Sequence, residues 1–109
     1  MEFQNYNYTD KEEILSMLNS LDQSKRIQAI IGMINGVGDR LWLQNRLLEL
    51  VHDNDFWVSK NAITGLGDLA RIYGELDVQK VLHELRRIKN KQLEGVIKDV
   101  IEDINLFIR

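Results

Sequence analysis

An all-α fold of about six helices, arranged as three stacked antiparallel hairpins in a short α-solenoid, is what this sequence predicts, and three observations predict it. Proline is entirely absent. Apolar residues recur three and four apart through most of the chain, the period of amphipathic helices rather than strands. The breaks between these apolar runs are short, which makes successive helices antiparallel neighbours.

The chain of 109 residues fits one domain, residues 1–109, because a second core has no room at this size. Within it the reading gives an N-terminal tail over 1–9 and hairpins at about 10–37, 40–73 and 77–108.

The first helix follows Thr9-Asp10-Lys11-Glu12, a Thr-x-x-Glu capping box, and turns Ile14, Leu15 and Leu18 inward. After a break at Asn19-Ser20-Leu21-Asp22, the second carries Ile27, Ile30, Ile31, Ile34 and Val37, and stops at Gly36-Val37-Gly38-Asp39, where glycine can take the left-handed cap conformation. The third runs from about Arg40 to Val51 with Leu41, Leu47, Leu48 and Val51 inward. It ends at His52-Asp53-Asn54-Asp55, three of whose side chains are good N-caps for the next helix. The fourth spans about Phe56 to Tyr73, before Gly74. The fifth opens at Asp77 and places Val78, Val81, Leu82 and Leu85 on one face. The sixth covers about Lys91 to Phe107, with Leu93, Ile97, Val100, Ile101 and Ile104.

Composition narrows the function. An apolar fraction of 44% with 28% charged residues describes a folding, soluble globule. No run approaches the roughly 18 apolar residues of a membrane span, and Met1-Glu2-Phe3-Gln4-Asn5 has neither the basic start nor the apolar block of a signal peptide, so a cytoplasmic location is expected. Cysteine is absent, which removes disulfides, thiol catalysis and cysteine-ligated zinc. A net charge of −3 and a pI near 5.3 are the wrong sign for gripping a phosphate backbone and suit a basic protein partner.

An internal repeat is visible. Asp22-Gln23-Ser24-Lys25-Arg26-Ile27 aligns with Asp53-Asn54-Asp55-Phe56-Trp57-Val58 at an offset of 31, with Ile31 on Ala62 and Gly36 on Gly67. At an offset of 35, Asn90, Leu93, Ile97 and Ile101 fall on Asp55, Val58, Ala62 and Leu66.

The stretch from Leu47 through His52-Asp53-Asn54-Asp55-Phe56-Trp57-Val58 to Ala62 and Leu66-Gly67 resembles a HEAT-type repeat. That family pattern has a leucine-rich first helix, aspartates five and three before a valine, then alanine and Leu-Gly on the second helix. The likeness is close in the second hairpin, partial in the first and loose in the third, over roughly residues 10–108. It implies stacked hairpins whose second helices line a protein-binding wall. The family's arginine just after the valine is replaced by Gln28 and Ser59, so stacking is expected to rest more on apolar contact. Phe3-Gln4-Asn5-Tyr6-Asn7-Tyr8 supplies three aromatics to cap the first hairpin.

Candidate chemistry is thin. His52-Asp53 resembles the central pair of an HD phosphohydrolase metal site, but His83 is the one other histidine. Gly36-Val37-Gly38 echoes a phosphate loop yet ends a helix instead of beginning one. Asp99, Glu102 and Asp103 share a helix face that could bind calcium or serve as paired acids, but nothing else completes such a site and they read as a solvated or partner-facing acidic patch. Arg86, Arg87, Lys89 and Lys91 complement the dipole at the end of the fifth helix. Adjacent Phe56 and Trp57 cannot both point at the same core, so either one ring is partly exposed as a binding anchor or both tuck under neighbouring helices.

No catalytic set, metal site or cofactor is expected. The chain is similar in kind to the small, acidic, single-domain helical immunity proteins of bacterial toxin systems such as contact-dependent growth inhibition. That resemblance implies a non-catalytic inhibitor that covers the active site of a basic, nuclease-type toxin domain. Trp57, Asp53, Asp55, Asp68, Asp99, Glu102 and Asp103 are the expected contact residues. A general HEAT-like adaptor for protein assembly is the alternative.

Overall fold

The computed structural model describes residues 6–108 and contains six α-helices: α1 Lys11–Leu18, α2 Gln23–Gly36, α3 Arg40–Leu50, α4 Phe56–Tyr73, α5 Val78–Arg86 and α6 Glu94–Phe107. A 3-10 turn, Lys91–Leu93, leads into α6, and no strand occurs among the described residues.

The starts of α1 to α4 are set by aspartates, since a carboxylate can accept the orphan amides of the first turn. Asp22 accepts from the Ser24 amide, Asp39 from Trp42, and Asp55 from both Trp57 and Val58. At α1 the cap is Asp10, which accepts from Glu12 and Glu13, so the expected Thr9 box gives way to its neighbour. The caps of α2 and α4, Asp22 and Asp55, are 33 positions apart rather than 31. Asp53, aligned with Asp22 by sequence, is thereby freed from capping.

Helix α4 ends as expected at Gly74, whose φ of 63° is the left-handed conformation that glycine takes without steric cost. Helix α2 does not end that way: its cap is Val37 in extended backbone, and among the described residues Gly74 is the one residue with positive φ. Gly36 serves close approach instead. A Cβ there would stand 2.3 Å from the Tyr8 carbonyl oxygen, and one on Gly32 would stand 2.0 Å from the Tyr8 ring.

The two glycines seat the N-terminal segment on α2. The Tyr8 amide donates to the Gly32 carbonyl at 2.9 Å, Asn35 Nδ2 donates to the Tyr6 carbonyl at 2.8 Å, and the Tyr6 and Tyr8 rings stack at 6.2 Å. Gly32 lies about 200° around α2 from Ile34, which packs on α4, so this segment covers the outer side of the first hairpin. Phe3, the third aromatic of the tail, lies outside the described residues.

Helix α4 is the centre of the molecule and packs on α2, α3 and α6, while α1 packs on α2 and α5 touches α6 more lightly. Gly65 and Gly67, also about 200° apart, open the two flanks of α4. Ile34 and Leu47 close on Gly65, and Val100 and Asp103 close on Gly67. The result is one core that includes Ile14, Ile30, Met33, Leu43, Leu47, Ile63, Leu66, Leu69 and Leu85, in a body of 31 × 28 × 24 Å.

Leu41 is 54% exposed, against expectation. The buried face of α3 centres on Leu43, Leu47 and Val51, roughly a third of a turn from Leu41. That face also holds Gln44, fully buried, whose Oε1 accepts from the Asp77 amide at 2.8 Å and from Arg40 at 3.0 Å.

Polar ties between hairpins accompany the apolar contacts. Arg26 pairs with Asp53 at 2.8 Å and Gln23 Nε2 bonds both oxygens of Asp55, joining the first hairpin to the second. His52–Glu84 and Arg71–Asp103 join the second to the third, and Arg40–Glu75 ties the start of α3 to the connection between them. Arg26, just before Ile27, thus reaches the aspartate-bearing turn that precedes α4.

Candidate partner-binding surface

The outward stripe of α4 runs through Trp57, Lys60, Asn61, Thr64, Asp68 and Arg71 at helical spacing, flanked by α2 and α6. Trp57 is 51% exposed, and Phe56 is the ring that packs against the core. The two rings meet edge to face at 5.0 Å, and Lys60 Nζ lies 5.2 Å from the Trp57 centroid and 6.0 Å from that of Phe56. A large apolar ring is therefore presented to solvent in one held orientation, at the start of the central helix.

The carboxylates divide by what they touch. Asp53 lies against Arg26 with 14% of its side chain exposed, and Asp55 is spent on the α4 cap and Gln23. The Gln23 amide, followed by the Val58 and Trp57 amides, holds the Asp55 carboxyl below the ordinary carboxylate range. Asp68 and Asp103 both pair with Arg71, binding α4 to α6. Burial pushes the Asp68 carboxyl up, Arg71 pulls it down and Asp103 pushes it up again. These pulls oppose one another despite the close Arg71 contact, and desolvation is the largest of them.

Asp99, Glu102 and Asp103 do not form one patch. Asp103 is turned to Arg71, Glu102 lines a groove toward α5, and Asp99 is exposed on the helix between those directions. Asp99 and Glu102 make no ion pair among the described residues. Of the seven sequence-derived contact residues, Trp57, Asp99 and Glu102 are thus exposed and outside any ion pair among the described residues, and the other four carboxylates are engaged with side chains of the molecule itself.

His52 and Asp53 face different partners, Glu84 at 2.7 Å and Arg26, so the pair does not converge on a metal position. His52, ahead of Arg87, holds the Glu84 carboxyl below its usual range. No group of three His, Cys, Asp or Glu side chains able to hold a metal occurs among the described residues. In the basic cluster Arg87 donates to Glu84 at 3.1 Å, and Arg87 and Lys89 border a hollow of about 210 Å³ with His52 and Phe56. Among the described residues no helix is long and apolar enough to cross a membrane.

Sequence reasoning missed two features of this surface. Lys60 over both aromatic rings was signalled by its spacing of three and four from Trp57 and Phe56. The groove beside Glu102 carried no such signal, because its isoleucines read as core.

Comparison with known proteins found no matching family model, no matching curated protein and no matching solved structure.

Proposed function

We propose that this protein is a non-catalytic protein-binding module of the immunity type, built as a short HEAT-like stack, which covers the active site of a basic, nuclease-type toxin domain. The half-exposed Trp57, braced by Phe56 and Lys60, carries this reading. A rigid indole on a helix offers large buried area at little entropic cost, the property of interface hot spots. The net charge of −3 supplies long-range attraction for a basic partner, and Asp99, exposed on α6 and in no ion pair among the described residues, is the carboxylate placed to contribute to it. His52, Asp53, Asp55, Asp68 and Asp103, the groups chemistry would draw on, are held in internal pairs, which supports a binding role over a catalytic one.

The test is affinity capture from the source lysate at low and high salt, identified by mass spectrometry, followed by binding kinetics. One basic nuclease-like partner is expected, with an on-rate that falls as salt rises. Trp57→Ala should weaken that complex at least about tenfold while leaving the helical fold intact. Several unrelated partners, or none that is basic, would instead favour the HEAT-like adaptor.

A further inference from the structure

An open groove of about 480 Å³ runs between α5 and α6, where Ile88, Ile97 and Ile101 lie partly open over the buried Leu85. It belongs to the last hairpin. Helix α6 turns Val100 to α4, and Lys98 and Glu102 each lie about 160° around the helix from Val100, so the groove's outer rim points away from the rest of the molecule. The first hairpin has its outer side covered by Tyr6 and Tyr8, whereas nothing among the described residues covers this end.

We propose that this groove is filled by the same groove of a second copy of the chain, in a twofold pair with the two α6 helices antiparallel. The rim carries the argument. Arg86 and Lys98 stand with Glu94 and Glu102 around the apolar floor, two cations and two anions, and none of the four is in an ion pair among the described residues. A twofold interface meets its own surface, so it needs both charge signs on one patch, while a partner of one sign would be met by a rim of the other.

The register agrees. In an antiparallel twofold pair, residue i faces residue j when their midpoint lies on the axis. Lys98 with Glu102 has its midpoint at residue 100, and Ile97 with Ile101 at residue 99, one helical rise of about 1.5 Å apart. One axis therefore seats the isoleucines on each other and each lysine against a glutamate of the other copy. The groove is shallow and short, which places the pair in the weak class, with a Kd on the order of 10–100 µM.

Sedimentation equilibrium of the full chain from about 5 µM to about 1 mM tests this, over a range that spans the expected Kd. The average mass should climb from monomer toward dimer. Lys98→Glu and Glu102→Lys should each raise the Kd at least about tenfold, since each sets like charges face to face. The K98E/E102K double variant should return to within about threefold of the original, because it restores both reciprocal pairs. Both positions are exposed, and circular dichroism separates lost pairing from lost fold. Trp57→Ala, on α4, should leave the dimer unchanged, so this test and that of toxin binding fail independently. A monomer at every concentration would mean the groove takes some other occupant and overturns the proposal, as would a dimer insensitive to both single changes or one the double variant does not recover.

Discussion

Arg26 Nη2 lies 2.8 Å from Asp53 Oδ2, and the same guanidinium donates through Nε to the Leu18 carbonyl at 2.9 Å. One side chain thus ties the end of α1, the start of α2 and the turn before α4. With 21% of the arginine and 14% of the aspartate side chain exposed, water screens this pair far less than a surface ion pair. Breaking it leaves the surviving partner poorly solvated, so Arg26→Ala should cost about 2–3 kcal/mol. Chemical denaturation measures this, and a loss under about 0.5 kcal/mol would assign the pair to the ordinary surface class.

Asp55 links stability to pH. Its carboxyl is held below the ordinary range by Gln23 and the α4 amides, so the folded state binds its proton less readily than the unfolded chain does. The stabilisation is fully present above the unfolded value near pH ~3.9 and is lost as pH falls through the lower folded value. Asp55→Asn keeps a capping side chain but cannot titrate. Urea midpoints should therefore fall less steeply below about pH 4 in this variant than in the parent. Equal slopes would show that Asp55 does not carry the dependence.

Two helical glycines should respond oppositely to alanine. A Cβ on Gly95 would meet nothing within 4 Å, so Gly95→Ala should stabilise α6 by about 0.5–1 kcal/mol through helix propensity. On Gly65 the same atom would stand 2.8 Å from Ile34 Cδ1 and 3.1 Å from Leu47 Cδ2, both held in the packed core. Overpacking there costs about 1–3 kcal/mol and outweighs the helical gain. Thermal melts should show a higher midpoint for G95A and a lower one for G65A.

What the sequence made legible was local chemistry. Asp55 before an apolar run, and Gly74 after one, mark the ends of α4 within the residues they touch, and periodicity identifies Ile30, Val81 and Leu85 as interior. The choice of Asp10 over Thr9, and the use of Gly36 for contact instead of capping, depend on other parts of the chain, where the Tyr6–Tyr8 segment lies on α2. The partners of the carboxylates were hidden for the same reason. Spacing shows that Asp53 and Asp103 are at helix ends or faces, but their arginines stand 27 and 32 positions away. Periodicity likewise marks Ile97 and Ile101 as apolar without saying that both stay partly open beside α5.

Arg71 bridges Asp103 at 3.0 Å and Asp68 on its own helix, and the two acids compete for it. Burial raises the Asp68 carboxyl above its unfolded value, so the folded state binds that proton more tightly, and Asp68's contribution to stability declines as pH rises from about 4 through the folded value. Asp68→Asn removes the buried charge and its repulsion with Asp103 while leaving Arg71 its partner on α6. At neutral pH this variant should lie within about 0.5 kcal/mol of the parent or above it, whereas Arg71→Ala, which leaves two neighbouring carboxylates unpaired, should lose about 1–2 kcal/mol. Denaturant unfolding of both variants at pH about 5 and about 8 checks the sign, because the pH-dependent decline assigned to Asp68 must be missing in the asparagine variant. A D68N protein that loses more than about 1 kcal/mol at neutral pH would show that the Arg71 contact, and not desolvation, governs this carboxylate.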